Sequence, residues 1–307
     1  MKVRAALVAV CALVAVAVST TPAGAVTPVV VVATPKIETT PEASTAFLAW
    51  TQSPVNSYST SSVKAESIGG TPFSVTSKGT FAFTGGIDGS TLIYTEYSQS
   101  GDIALFDLAT KTALPVPAGV NTKANEEALG ISGSHLLFAR RFNSHYSIVL
   151  FDTATSTSLV LYSHKDTSRR IASLIGAQLN GNYATWDQYV YTSPPSFREV
   201  RCDVTLYDIA TATATKVPNP DKKCQSGPAV SADGTLYFDR SGLSCGQHAK
   251  VIKQPLGGTE SVVYALKNGH DFFSATAVDN GDGSTDLYFD PESCRTNHGD
   301  IWKLPGV

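Results

Sequence analysis

Apolar positions in this chain alternate or run in short blocks, and almost nowhere return at helical spacing. The blocks are rich in β-branched and aromatic residues and are bounded by Gly, Asp, Asn and Ser, which predicts strands joined by tight turns. One phrase recurs: a turn carrying Gly, then a strand with a large apolar residue. It reads GIDGSTLIYTE (Gly86–Glu96), GISGSHLLFAR (Gly130–Arg140), QLNGNYATWDQ (Gln178–Gln188), VSADGTLYFDR (Val230–Arg240) and DNGDGSTDLYFD (Asp279–Asp290). A further copy, AFLAWTQS (Ala46–Ser53), lacks the marked turn.

With Leu48, Leu92, Leu136, Tyr183, Leu236 and Leu287 taken as equivalent, successive copies are 44, 44, 47, 53 and 51 residues apart. After most copies comes a second phrase, as in DIALFDLATKTALPV (Asp102–Val116), SIVLFDTATSTSLVL (Ser147–Leu161) and DVTLYDIATATATKV (Asp203–Val217). Six units of this size, each with room for about four strands, predict an all-β fold, a six-bladed β-propeller with four-stranded antiparallel blades. The last unit supplies only three strands: FSATAVD, TDLYFD and DIWKLPG. The isolated run VVVVAT (Val29–Thr34) is the expected fourth, an N-terminal strand closing the ring and protecting an edge.

The N-terminus changes the picture of where the protein works. Lys2 and Arg4 precede an apolar run of 14 residues, Ala5–Val18, followed by Ala23-Gly24-Ala25. That is a secretory signal peptide with cleavage after Ala25, and the run is shorter than the ~20 residues of a membrane span. The expected organisation is residues 1–25 signal peptide, 26–44 a Pro/Thr-rich arm carrying the closing strand, and 45–307 the propeller. Localisation is then secreted, extracellular or in the cell envelope, with no membrane span after cleavage. Removing Lys2 and Arg4 takes the formal net charge from -3 to -5, which argues against a nucleic-acid partner. Cys11 leaves with the signal, and Cys202, Cys224, Cys245 and Cys294 remain. An even number in an exported chain predicts two disulfides. Cys202 with Cys224 closes a local loop and Cys245 with Cys294 staples neighbouring blades; other pairings stay open.

Asp279–Asp290 raises the question of a calcium site. NGDGSTDL resembles the calcium loop of integrin-like propellers at Asn280, Asp282 and Asp286, but Val278 holds the first ligand position and Asp279 comes one place late. A hard cation wants about 6–8 oxygen ligands. The segment reads as a hairpin turn, with Asp-Gly supplying positive φ as at Asp88-Gly89 and Asp233-Gly234.

The units resemble TolB-like, more broadly WD-repeat-like, propeller repeats. GPAVSADGTLYFDRS (Gly227–Ser241) is the best first half and DIALFDLATKT (Asp102–Thr112) the best second half. The likeness covers about Ala46 to Val307 and does not include the N-terminal domain that TolB carries. It implies a non-catalytic module that binds or scaffolds another envelope or extracellular protein, or a peptide. It names no particular partner and no cofactor.

Chemistry in such a ring is expected on the loops between second and third strands, which share one face with the connections between blades. At that mouth of the channel, Asn125, Glu127, Arg169, Arg170, His270 and Asp271 are the candidate ligand-binding residues. Six-bladed propellers also include metal-dependent lactonases, so the alternative is a channel-centred metal-dependent hydrolase. The expected inner strands, GTFAFTG, EALGIS, SLIGAQL, PAVSA and FSATAV, are mostly small and apolar. They carry too few carboxylates to name a catalytic or metal-ligating set. GLSCG (Gly242–Gly246) matches the nucleophile-elbow text, but a blade loop lacks the strand-turn-helix context that exposes Ser244. His145, His248 and His298 have no metal-ligand spacing and read as surface histidines.

Overall fold

The strands expected from the repeat form and close on each other antiparallel in the computed structural model. It describes residues 26–307 apart from 56, 58–59, 78, 99, 168–169, 174–175, 193–198, 242–248, 268 and 294–298. Among the described residues there are only strands and turns, and no helix long and apolar enough to cross a membrane.

Six sheets make the ring. From the channel outwards, blade 1 is Ile37–Ala43, Phe47–Ser53, Ser62–Ser67 and Phe73–Ser74. Blade 2 is Phe81–Asp88, Thr91–Tyr97, Gly101–Asp107 and Thr112–Leu114. Blade 3 is Asn125–Ser132, His135–Phe142, His145–Asp152 and Thr157–Lys165. In blade 4 the inner position is shared by Arg170–Ser173 and Ala177–Asn180, both paired to Tyr183–Thr192, with Glu199–Asp208 and Thr213–Lys216 outside. Blade 5 is Cys224–Val230, Leu236–Ser241, Lys250–Gln254 and Ser261–Ala265. Blade 6 is His270–Asp279, Thr285–Ser293 and Ile301–Leu304, with Val29–Val32 as its outermost strand. Leu48, Leu92, Leu136, Tyr183, Leu236 and Leu287 all lie on second strands.

Val29–Val32 pairs antiparallel with Ile301–Leu304, so the ring is closed by the N-terminal strand. The innermost strand of blade 1, Ile37–Ala43, falls within the Pro/Thr-rich stretch that reads as an arm from sequence alone. Pro41 and its two threonines hide the period-2 pattern that marks the other inner strands.

Each seam between neighbouring blades has its own apolar core. Leu48, Trp50, Val278 and Ile301 join blades 6 and 1, and Ile93, Ile103, Phe138 and Phe151 join 2 and 3. Leu137, Ile148, Trp186 and Tyr207 join 3 and 4, while Leu206, Val230, Leu236 and Phe238 join 4 and 5. No blade could bury these faces alone, which is why the unit repeats. Cys202 and Cys224 form a disulfide between the third strand of blade 4 and the inner strand of blade 5. Cys245 and Cys294 lie outside the described residues.

Inner strands approach closely where side chains are absent. A Cβ on Gly86 would stand 2.8 Å from Gly130 Cα, and one on Gly130 would stand 2.7 Å from Leu179 Cβ. Both distances are prohibitive, so glycine at these positions sets how tightly blades 2, 3 and 4 wrap the axis.

Candidate functional site: the two ends of the channel

The ring is held by a repeated polar device that the sequence does not announce. Every inner strand breaks register part-way along, between Thr84 and Gly86 in blade 2 for example, or Phe272 and Ala275 in blade 6. Such breaks free backbone N–H groups, and a second-strand side chain captures them across the seam. Thr51 Oγ1 accepts from Thr84 N at 3.1 Å, and Thr95 Oγ1 from Ala128 N at 2.8 Å. Asp187 Oδ2 accepts from Gly176 N and from Gly227 N of the next blade, both at 3.0 Å. Asp290 accepts from Ser274 N at 2.8 Å and from Thr40 N of blade 1 at 3.1 Å.

At the end carrying the hairpins between first and second strands, another polar group per blade reaches its neighbour. Ser44 Oγ donates to Gly89 O at 2.8 Å, Asp88 Oδ2 accepts from Gly133 N at 2.7 Å, and Ser132 Oγ accepts from Gly181 N at 3.0 Å. Asn180 Nδ2 donates to Val230 O at 3.1 Å and to Asp279 Oδ2 at 3.0 Å, and Asp279 Oδ2 also accepts from Ala232 N at 2.9 Å. One layer in, Gln178 ties three blades together. Its Nε2 donates to Thr276 Oγ1 at 2.9 Å and Ala277 O at 3.0 Å, while its Oε1 accepts from Val230 N at 2.8 Å and Ala277 N at 3.1 Å. One amide from blade 4 thus bonds blades 5 and 6 with its full capacity.

The hairpin 279–285 is built as a turn. Asp279 faces the channel ring, Asp282 caps Ser284, accepting from its N at 2.9 Å and its Oγ at 2.6 Å, and Asp286 pairs with Lys303 and accepts from Gly306 N at 3.0 Å. Those hydrogen bonds hold the Asp282 carboxyl below its usual range. The three acids are directed to three different partners. Among the described residues no three His, Cys, Asp or Glu side chains gather as a metal site.

The opposite end, with the loops between second and third strands, is chemically different. Phe81 and Phe83 on the inner strand of blade 2 stack with Tyr97, with ring centroids 5.0 Å apart for Phe81–Phe83 and Phe81–Tyr97 and 6.0 Å for Phe83–Tyr97. All three rings are half-buried. The Tyr97 hydroxyl donates to Glu127 Oε1 at 3.1 Å, and burial, then the Glu127 charge, push its pKa far up. Exposed Asn125 accepts from Gly101 N at 3.2 Å, locking blade 3 to blade 2. Next to Glu127 on the same strand, fully buried Glu126 pairs with Arg140 at 2.9 Å and holds the blade rather than the channel.

Among the described residues, Glu38 Oε2 of blade 1, the Tyr146 hydroxyl of blade 3 and His270 Nδ1 of blade 6 lie toward this end, buried and without a hydrogen-bond partner. Other such atoms, Trp50 Nε1, Trp186 Nε1 and Gln254 Oε1 among them, lie elsewhere in the ring. Burial, then the charges of Glu127 and Asp187, raise the Tyr146 phenol well above its usual value.

Of the residues expected at this mouth, the structure brings Asn125 and Glu127 together and sets His270 across the ring, at the start of the inner strand of blade 6. Arg170 and Asp271 are placed by backbone only, opposite Thr192 and Glu292, and Arg169 lies outside the described residues. Sequence reading passed over Phe81, Phe83, Tyr97 and Tyr146. The alternation in TFAFT was the available signal, since it puts two rings on one side of an inner strand.

The architecture is therefore that of a closed six-bladed β-propeller. No protein-family model matches the chain, and no curated protein does. Solved structures do match. TolB from Acinetobacter baumannii aligns with TM-score 0.52 at 16% identity, over 85% of this chain and 63% of that one, so the chain spans less than two thirds of that protein. A protein of unknown function from Dyadobacter fermentans aligns with TM-score 0.58 at 11% identity, over 90% and 96%. The β-propeller domain of the Trilobed protease from Pyrococcus furiosus, described as having an open velcro topology, aligns with TM-score 0.52 at 12% identity, over 89% and 94%. The fold is a TolB-like propeller, and in this chain the ring is closed by Val29–Val32.

Proposed function

We propose that this is an exported, non-catalytic propeller that binds a peptide or a protein segment at the channel end bearing Phe81, Phe83, Tyr97 and Glu127. The observation that carries it is the half-buried aromatic trio there, bonded through Tyr97 to Glu127; the Glu38 and His270 atoms without a partner among the described residues support it. Aromatic rings supply contact area with little side-chain entropy to lose, and are enriched in protein interfaces. Unpaired buried donors and acceptors are costly unless something satisfies them, and peptide backbone offers both kinds of group. The resemblance to TolB-like propellers supports the same reading, as does the signal-like N-terminus with the Cys202–Cys224 bridge for an envelope or secreted location.

The test is selection of displayed peptides on the purified chain, followed by affinity measurement with the variants Phe83→Ala, Glu127→Gln and Tyr146→Phe. Selected peptides should lose about tenfold or more with Phe83→Ala, the loss expected of an interface anchor. Peptides that bind all three variants as tightly as the parent chain would place the interface elsewhere.

A further inference from the structure

The hairpin end of the channel holds a second site that the peptide reading does not use. A cup of about 210 Å³ lies there, lined by Ser44, Asp88, Ser132, Gln178, Asn180 and Asp279 together with apolar neighbours such as Ile87 and Val278. No Lys, Arg or His lines it. The Ser44 hydroxyl is already used, donating to Gly89 O and accepting from Ala46 N and Phe47 N, so two carboxylates, the Ser132 hydroxyl and the Asn180 amide carbonyl are left lining the cavity.

The wall is fixed before any ligand arrives. Each of the five rim residues is bonded to the neighbouring blade, and Gln178 has all its hydrogen bonds made. The carboxylates keep acceptor capacity. A carboxylate has about four lone-pair positions, and the rim contacts use one on Asp88 and two on Asp279. The chemistry is acceptor-rich, anionic and too small for a folded segment.

We propose that this cup binds a primary ammonium group. An ammonium carries one positive charge and three diverging donors, which suits acceptors arranged around a cavity, and its charge complements Asp88 and Asp279. Both carboxylates are partly exposed, so water and salt weaken the pairing and affinity is in the millimolar range. The same group can come from a small free amine or from a lysyl side chain. The site is independent of the aromatic mouth at the other end.

The experiment is a titration of the purified, isotope-labelled chain followed by NMR, using n-butylammonium chloride, n-butanol as its uncharged counterpart, and Nα-acetyl-lysine amide. Saturable shifts at residues 44, 88, 132, 180 and 279 with n-butylammonium but not n-butanol are expected. The double variant Asp88→Asn with Asp279→Asn should weaken binding at least fivefold while melting within a few degrees of the parent. Shifts with acetyl-lysine amide as well would assign a lysyl ligand; their absence would assign a small amine. No saturable shift with either amine, equal shifts with n-butanol, or unchanged affinity in the folded double variant would each overturn the proposal. The parent-chain titration decides the matter even if the variant fails to fold.

Discussion

Asp290 Oδ2 accepts a hydrogen bond from the backbone N–H of Thr40, 250 residues away in sequence and 3.1 Å away in space. Thr40 sits at φ 48°, in the left-handed region that non-glycine residues avoid. Its own hydroxyl is bonded to Thr51 Oγ1 at 2.6 Å, so the strained conformation is held from both sides. This contact joins blade 6 to blade 1 at the channel, while Val29–Val32 joins them at the rim.

Replacing Asp290 by Ala strands the Ser274 and Thr40 N–H groups in a buried site. The expected loss is about 3 kcal/mol, because orphaned buried donors cost their desolvation. Thr95→Val removes the acceptor of one N–H and should cost about 1 kcal/mol, while Thr51→Val, which also takes a partner from the Thr40 hydroxyl, should cost about 1–2 kcal/mol. Denaturant unfolding of the three variants checks the ranking, and an Asp290→Ala loss no larger than that of Thr51→Val would refute the role assigned to Asp290.

The closing strand is tested by Val32→Asp. Val32 is buried against Leu48, Trp50, Val278 and Ile301 in the seam between the last and first blades. A carboxylate there has no partner to offset its desolvation, so a loss of about 3 kcal/mol or more is expected. Freed of Val29–Val32, the edge Ile301–Leu304 becomes available for pairing with other chains. The variant should therefore also aggregate earlier on heating, as light scattering would show. Val30, which is 46% exposed on the same strand, is the control, and Val30→Asp should unfold near the parent temperature.

The Cys202–Cys224 bridge spans 22 positions between blades 4 and 5. Loop-closure entropy predicts that the double variant Cys202→Ser with Cys224→Ser loses about 3 kcal/mol. Calorimetry of the parent and the double variant under non-reducing conditions tests it. Equal melting temperatures would mean that the blade 4–5 seam core alone fixes this contact.

Much of the ring was legible because its determinants are local. The spacing of Leu48, Leu92, Leu136, Tyr183, Leu236 and Leu287 gave the blade number, and Asp-Gly dipeptides gave the inner hairpins. The closing strand could be read from an apolar run with no partner nearby. Strand Ile37–Ala43 could not, because Pro41 and the threonines break its alternation and its partners come from both ends of the chain. The channel was least legible. Gln178, Asp187 and Asp290 act across seams, and nothing adjacent in sequence distinguishes them from surface polar residues. The aromatic trio had a local signal in TFAFT, but Tyr97 joins it only through strand pairing.

The pH dependence of stability should expose Glu42, which occupies the overlooked first inner strand. It is 5% exposed, hydrogen-bonded with Thr276 and close to the Asp290 carboxylate. Burial, reinforced by the Asp290 charge, raises its pKa well above the ordinary carboxyl value. In the unfolded chain Glu42 titrates near about 4.3. Below that pH both states hold the proton, and the group imposes no penalty. As pH rises, the unfolded chain releases its proton while the folded protein keeps it, so stability falls until the pH passes the folded pKa and then levels. Glu42→Gln retains the shape and the hydrogen bond with Thr276 but removes the titration. Its effect should be small near about pH 4 and clearly stabilising near about pH 8. Urea midpoints for parent and variant across that range make the comparison. A constant difference at every pH would show that Glu42 gains and loses its proton in the fold as it does in the unfolded chain, and would overturn the burial effect assigned to it.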